Sequence, residues 1–139
     1  MLIVEDQPMT AVALTMIVSD AGCEVVGTAI DATGALNKAR GTHVDLAFVD
    51  VNLTDGISGP DVARDLIQEH GASVIFITAN PEQVPANMNG ALGCISKPFD
   101  EDTVFEVIGF VRRYLHEGVI GAIPRRMRPA PWIPLPPRR

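Results

Sequence analysis

The sequence predicts an α/β domain built on a doubly wound parallel sheet, and three observations carry the prediction. Five apolar runs, at 2–4, 23–29, 44–49, 73–77 and 91–95, are each bounded by turn residues. Several are apolar on both faces rather than alternating, the pattern of strands covered by helices on each side. The intervals carry helical signals instead, so strand and helix alternate five times in roughly 115 residues and call for right-handed βαβ crossovers.

Each element has a local cause. After the first strand, Pro8 opens a helix running through Ser19, because proline is tolerated in a first turn. Asp31 caps a second helix that continues to about Arg40. A third, capped at Ser58 with Pro60 early, puts Val62, Leu66 and Ile67 on one face and ends at Gly71. The segment 79–90 is a poor helix. Asn80 and Pro81 serve as cap and first residue, but Pro85 removes an intrahelical N–H and disfavours helical geometry at Val84. Asn87, Asn89 and Gly90 add turn character, so a shortened or irregular fourth helix is expected, anchored chiefly by Val84 and Met88. The last helix is the clearest: Val104, Val107, Ile108, Val111 and Leu115 recur at helical spacing behind the acidic start Asp100-Glu101-Asp102.

At 139 residues and 47% hydrophobic, the chain suits one domain with a proper core. Neither a membrane-length apolar run nor a basic leader is visible, which points to a soluble, cytoplasmic protein. Cys23 and Cys94 lie apart in apolar stretches and read as reduced core thiols, while His43, His70 and His116 read as structural or exposed. Charge divides the chain in two. Residues 1–117 hold six basic and all seventeen acidic residues, a balance of −11, which makes nucleic acid an unsuitable partner for the folded part. Residues 118–139 hold five arginines, six prolines and no acid around Trp132, and are expected to form an extended or disordered tail. With few core candidates beyond Val119, Ile120 and Trp132, removal of that tail is expected to leave stability nearly unchanged. If the tail docks, opposite charge is the expected reason, with its arginines on the acidic body. Its segment 131–137 also has the composition of a polyproline ligand, with the flexible reading favoured.

Polar residues follow the strands at telling places: Glu5 and Asp6 after the first, Asp50 after the third, Thr78 ending the fourth, Lys97 before Pro98 after the fifth. In a parallel sheet all five converge on the carboxyl edge, where ligands bind near the switch in strand order. Three carboxylates in one pocket repel each other without a cation, and an all-oxygen set suits Mg²⁺. A hydroxyl at Thr78 and an ammonium at Lys97 beside Asp50 are the donors that a phosphoryl group on an aspartate needs.

Val-Glu-Asp, Phe-Val-Asp, Phe-Ile-Thr-Ala and Ile-Ser-Lys-Pro-Phe, in this order across residues 1–117, resemble the signature of response-regulator receiver domains. The resemblance implies a flavodoxin-like five-stranded sheet of order 2-1-3-4-5. It implies Asp50 as phosphoacceptor, Asp6 as a direct Mg²⁺ ligand, Glu5 acting mainly through water, and the main-chain carbonyl of Asn52 completing the metal shell. Thr78 would be the switch hydroxyl and Lys97 the phosphoryl-binding cation, joined to Pro98 by a cis peptide. The implied partners are a histidine kinase or histidine phosphotransfer protein as donor, and a protein target downstream. Where the family commonly carries an aromatic switch residue, three positions before the lysine, this chain has Cys94. Two other readings compete. Asp50-Val51-Asn52-Leu53-Thr54 resembles the phosphatase motif of the haloacid-dehalogenase type, but Asn52 stands where that motif needs a second, acid-base aspartate. The other is a degenerate receiver that never takes phosphate and serves only as a docking module.

Overall fold

The computed structural model describes residues 1–134; the last five residues of the tail lie outside them. The elements are β1 (Leu2–Val4), α1 (Pro8–Asp20), β2 (Gly27–Ala29), α2 (Ala32–Gly41), β3 (Leu46–Val49), α3 (Gly59–His70), β4 (Ser73–Thr78), β5 (Gly93–Ser96), α4 (Glu101–Glu117) and β6 (Met127–Pro129). Strand order is β2-β1-β3-β4-β5-β6. The first five strands are parallel and follow the expected order. Helices α1 and α4 pack together, as do α2 and α3, so the apolar strands are covered on both faces. Leu2, Ile3, Val4, Val74, Ile75 and Phe76 are fully buried between these layers.

Local signals act much as the sequence implies. The Asp31 carboxylate accepts from the Gly34 N–H at 2.8 Å and the Asp100 carboxylate from the Thr103 N–H at 2.8 Å, each satisfying an orphan donor of a first turn. Gly71 and Gly118 end α3 and α4 in the left-handed conformation. Ser58 departs from expectation: its hydroxyl turns back to Asp55 and caps nothing. In 79–90 the expected fourth helix is reduced to two 3₁₀ turns, Pro81–Gln83 and Met88–Gly90. Val84 and Met88 are its buried anchors, and Met88, Asn89 and Gly90 all take positive φ, which no helix accommodates.

The sixth strand corrects the reading of the tail as wholly irregular. Met127–Pro129 pairs antiparallel with β5, with Gly93 opposite Pro129 and Ile95 opposite Met127. Proline is compatible with this because β6 is an edge strand. The residues that dock it are Met127, Ala130 and Ile133, all buried, whereas Val119 and Trp132 are exposed. Apolar contact thus leads and charge follows, through an Arg126–Asp100 pair at 3.4 Å on the surface.

Candidate functional site

Register places the site. Val4 of β1 pairs with Val49 of β3, and Thr78 of β4 with Ser96 of β5, so the residues after these strands emerge at one level of the carboxyl edge. The Asp50 N–H donates to Val4 O at 2.9 Å and the Lys97 N–H to Thr78 O at 2.9 Å, extending the ladder one residue beyond each strand. β1 is flanked by β2 and β3, which makes its end the point where strand order switches. The Lys97–Pro98 peptide is cis, as expected.

Glu5, Asp6 and Asp50 each present a carboxylate oxygen within 4.8 Å of the others. Lys97 Nζ donates to Asp50 Oδ2 at 2.8 Å and to Gln7 Oε1 at 3.2 Å, and stands 2.5 Å from Glu5 Oε1. One ammonium therefore pairs with two of the three carboxylates, Glu5 and Asp50. Glu5 is only 2% exposed, and its Oε1 meets Lys97 as an ion pair without hydrogen-bond geometry. Burial, reinforced by the neighbouring Asp50 charge, pushes its pKa from 4.5 up to about 6 despite the Lys97 and Gln7 contacts that favour the anion. For Lys97, burial acts against the charge, but the hydrogen bond to Asp50 and the ion pair with Glu5 outweigh it and the pKa is raised. Thr78 is fully buried, and its hydroxyl oxygen accepts from the Asn80 N–H at 2.9 Å.

The loop after Asp50 is built to hold position. Thr54 N–H and Oγ both donate to Ile30 O, at 3.1 and 3.0 Å, and the Asp55 carboxylate accepts from the Ala32 N–H at 3.2 Å. The loop closes on α3 at Gly59, whose N–H donates to Val51 O at 3.0 Å. A Cβ there would stand 2.0 Å from the Asp50 carbonyl oxygen and 2.6 Å from Val51 Cα, so only glycine permits this approach.

Sequence reasoning selected six site residues, and five of them, Glu5, Asp6, Asp50, Thr78 and Lys97, lie at the ends of β1, β3, β4 and β5. Asn52 is in the loop after Asp50, and its side-chain amide donates to Gln83 Oε1 at 2.6 Å. Gln7, Gln83 and Gly59 were missed. Only their neighbours in space distinguish them, and nothing in local spacing marks a glutamine that bonds across elements. His43 pairs with Asp45 at 2.7 Å, an exposed contact at the opposite end of the sheet. Thr54 turns its hydroxyl to Ile30, which removes it from the phosphatase-like reading.

The receiver domain of response regulators, as a family, matches residues 1–109 of the chain. This chain belongs to that family. It is 37% identical over 109 residues to the phyllosphere-induced regulator PhyR of Methylorubrum extorquens, a match covering 77% of this chain and 41% of PhyR. The solution structure of the PhyR receiver domain from Erythrobacter litoralis superposes with a TM-score of 0.74 at 31% identity, covering 88% of this chain and 94% of that one. PhyR of Bartonella quintana, described as an anti-anti-sigma factor, superposes at 0.71 with 30% identity, covering 84% and 48%. The chain thus spans less than half of the PhyR proteins of M. extorquens and B. quintana. It is a two-component signalling domain rather than an enzyme. No helix among the described residues is long and apolar enough to cross a membrane.

Proposed function

We propose that Asp50 accepts a phosphoryl group from a histidine kinase or histidine phosphotransfer protein, and that residues 1–117 then signal to a cytoplasmic protein target. The observation that carries this reading is the Lys97 ammonium held 2.8 Å from Asp50 inside a cluster of three carboxylates. An Asp50 oxygen attacks phosphorus, the new O–P bond forms as the P–N bond to the donor imidazole breaks, and the imidazole leaves with its ring nitrogen free to take a proton. Lys97 is placed to neutralise the phosphoryl oxygens, and the Thr78 hydroxyl is free to donate to one because its present bond is as acceptor.

The residues fit Mg²⁺. The donors are all oxygen, Glu5 Oε1 is a buried acceptor with no hydrogen bond, and one lysine leaves the cluster two charges short of neutral. Glu5, Asp6, Asp50 and the Asn52 carbonyl would hold the ion, which would supply charge neutralisation to the transferred group. Beside Glu5 and Asp6, the exposed apolar side chains of Val12, Met16 and Ile30 line one shallow cavity, a surface suited to a protein donor rather than a small molecule.

Incubation with Mg²⁺ and a small phosphodonor should add one phosphoryl group by intact mass, and Asp50→Asn should abolish the adduct. A full adduct in that variant refutes the assignment. No adduct in the parent chain would instead favour the degenerate docking module. Asp6→Ala should lose Mg²⁺ binding with the fold retained, measured by titration and circular dichroism.

A further inference from the structure

We propose that residues 126–133 are a strap that closes the edge of β5 while Asp50 is unmodified and is released when Asp50 is loaded. The proposal rests on the phosphoacceptor reading above and names the element that reading would move.

The strap is held at three levels. Its backbone pairs with β5, and the Ala130 N–H donates to Leu92 O at 2.9 Å. The Trp132 indole N–H donates to Ala91 O at 3.1 Å. Met127 lies over Gly93, where an added Cβ would come within 2.8 Å of its Cγ and Sδ, so β5 carries a notch that receives a large side chain of the added strand. A free β5 would present unpaired backbone groups at the sheet edge, a template for another strand.

What ties the strap to the site is the turn Pro81–Gln83, which holds contacts in three directions. It begins three residues after Thr78, and the intervening Asn80 N–H donates to the Thr78 hydroxyl at 2.9 Å. Gln83 accepts from the Asn52 amide at 2.6 Å, two residues after Asp50. Pro81 O accepts from Arg128 Nη2 of the strap at 3.4 Å. Elsewhere strap and turn stand apart across a cavity of about 340 Å³ lined by Pro81, Val84, Met88, Arg128, Pro129 and Pro131. A phosphoryl group on Asp50 that draws the Thr78 hydroxyl toward itself drags Asn80 and Pro81 with it. The turn has no regular helix to resist, so the shift passes to the acceptor of Arg128. Loss of that contact leaves a three-residue edge strand that keeps its pairing with β5 and its Met127 and Trp132 contacts but has lost its tie to the turn.

Hydrogen exchange by NMR on the full chain tests this, with and without beryllofluoride plus Mg²⁺, using Asp50→Asn as the unresponsive control. The loop 50–56 should become protected while the Ala130 amide and the Trp132 indole N–H exchange at least tenfold faster. In Arg128→Ala the acceleration should fall below about threefold. Protection of 50–56 with no change at Ala130 and Trp132 overturns the strap and leaves the phosphoacceptor reading standing. No protection of 50–56 overturns both. An acceleration undiminished in Arg128→Ala overturns the route through Pro81.

Discussion

Two connections flank Asp50, and they are built differently. From β3 to β4 the chain makes a pinned loop and then twelve residues of regular helix, α3. From β4 to β5 the segment 79–90 makes only two 3₁₀ turns with three successive positive φ angles. In α3 Pro60 falls in the first turn, where its missing N–H costs nothing, and Val62, Ala63 and Leu66 form a buried stripe. In 79–90 Pro85 falls four residues after Pro81, and Asn89 reaches out to Pro60 O at 3.0 Å rather than back along a helix. Prolines matter by position. The first connection fixes the acidic cluster by backbone closure; the second is held by single side chains, those of Asn52, Asn89 and Arg128, which suits the movement proposed for it.

The largest effect that tests this contrast is expected at Gly59. Gly59→Ala forces backbone apart on the rigid side and should cost about 2–3 kcal/mol in denaturant unfolding, with weakened Mg²⁺ binding. A neutral outcome would mean the loop after Asp50 is not held by that approach.

Removal of residues 118–139 strips support from the other side. The sequence implies little change, but burial of Met127, Ala130 and Ile133, offset by the cost of ordering the strand, makes the net contribution on the order of 1–2 kcal/mol. The melting temperature should fall by about 5 °C. A fall of less than about 1 °C would return the segment to the status of a passive tail.

The smallest effect concerns the charge of Glu5, which follows β1 and lies beside Asp50. Because the folded-state pKa of Glu5 is raised from 4.5 to about 6, the folded chain binds the proton more tightly than the unfolded chain. Without Mg²⁺, stability should therefore decline as pH rises from about 4.5 through 6, by on the order of 1 kcal/mol. Glu5→Gln should remove that part of the slope in denaturant titrations at several pH values. The same slope in the variant would place its origin elsewhere. Mg²⁺ should flatten it by favouring the ionised carboxylate.

By itself the sequence determined the five parallel strands, the helices between most of them and the charged residues at their ends. These follow from apolar runs, caps and breakers that act over a few neighbours, and Asp31, Pro85 and Gly118 act as their local chemistry dictates. Tertiary structure decided what spans distance. Met127 becomes a core residue because Gly93 leaves room for it, while Trp132, the larger hydrophobe, stays exposed with its indole N–H donating to the Ala91 carbonyl. Gly59 is required by a backbone passing nine residues earlier, and Gln7 and Gln83 gain roles only from the groups that folding brings to them. Periodicity reports whether a residue faces a core; which partner waits there depends on register and on edges left open, and neither is written in any local window.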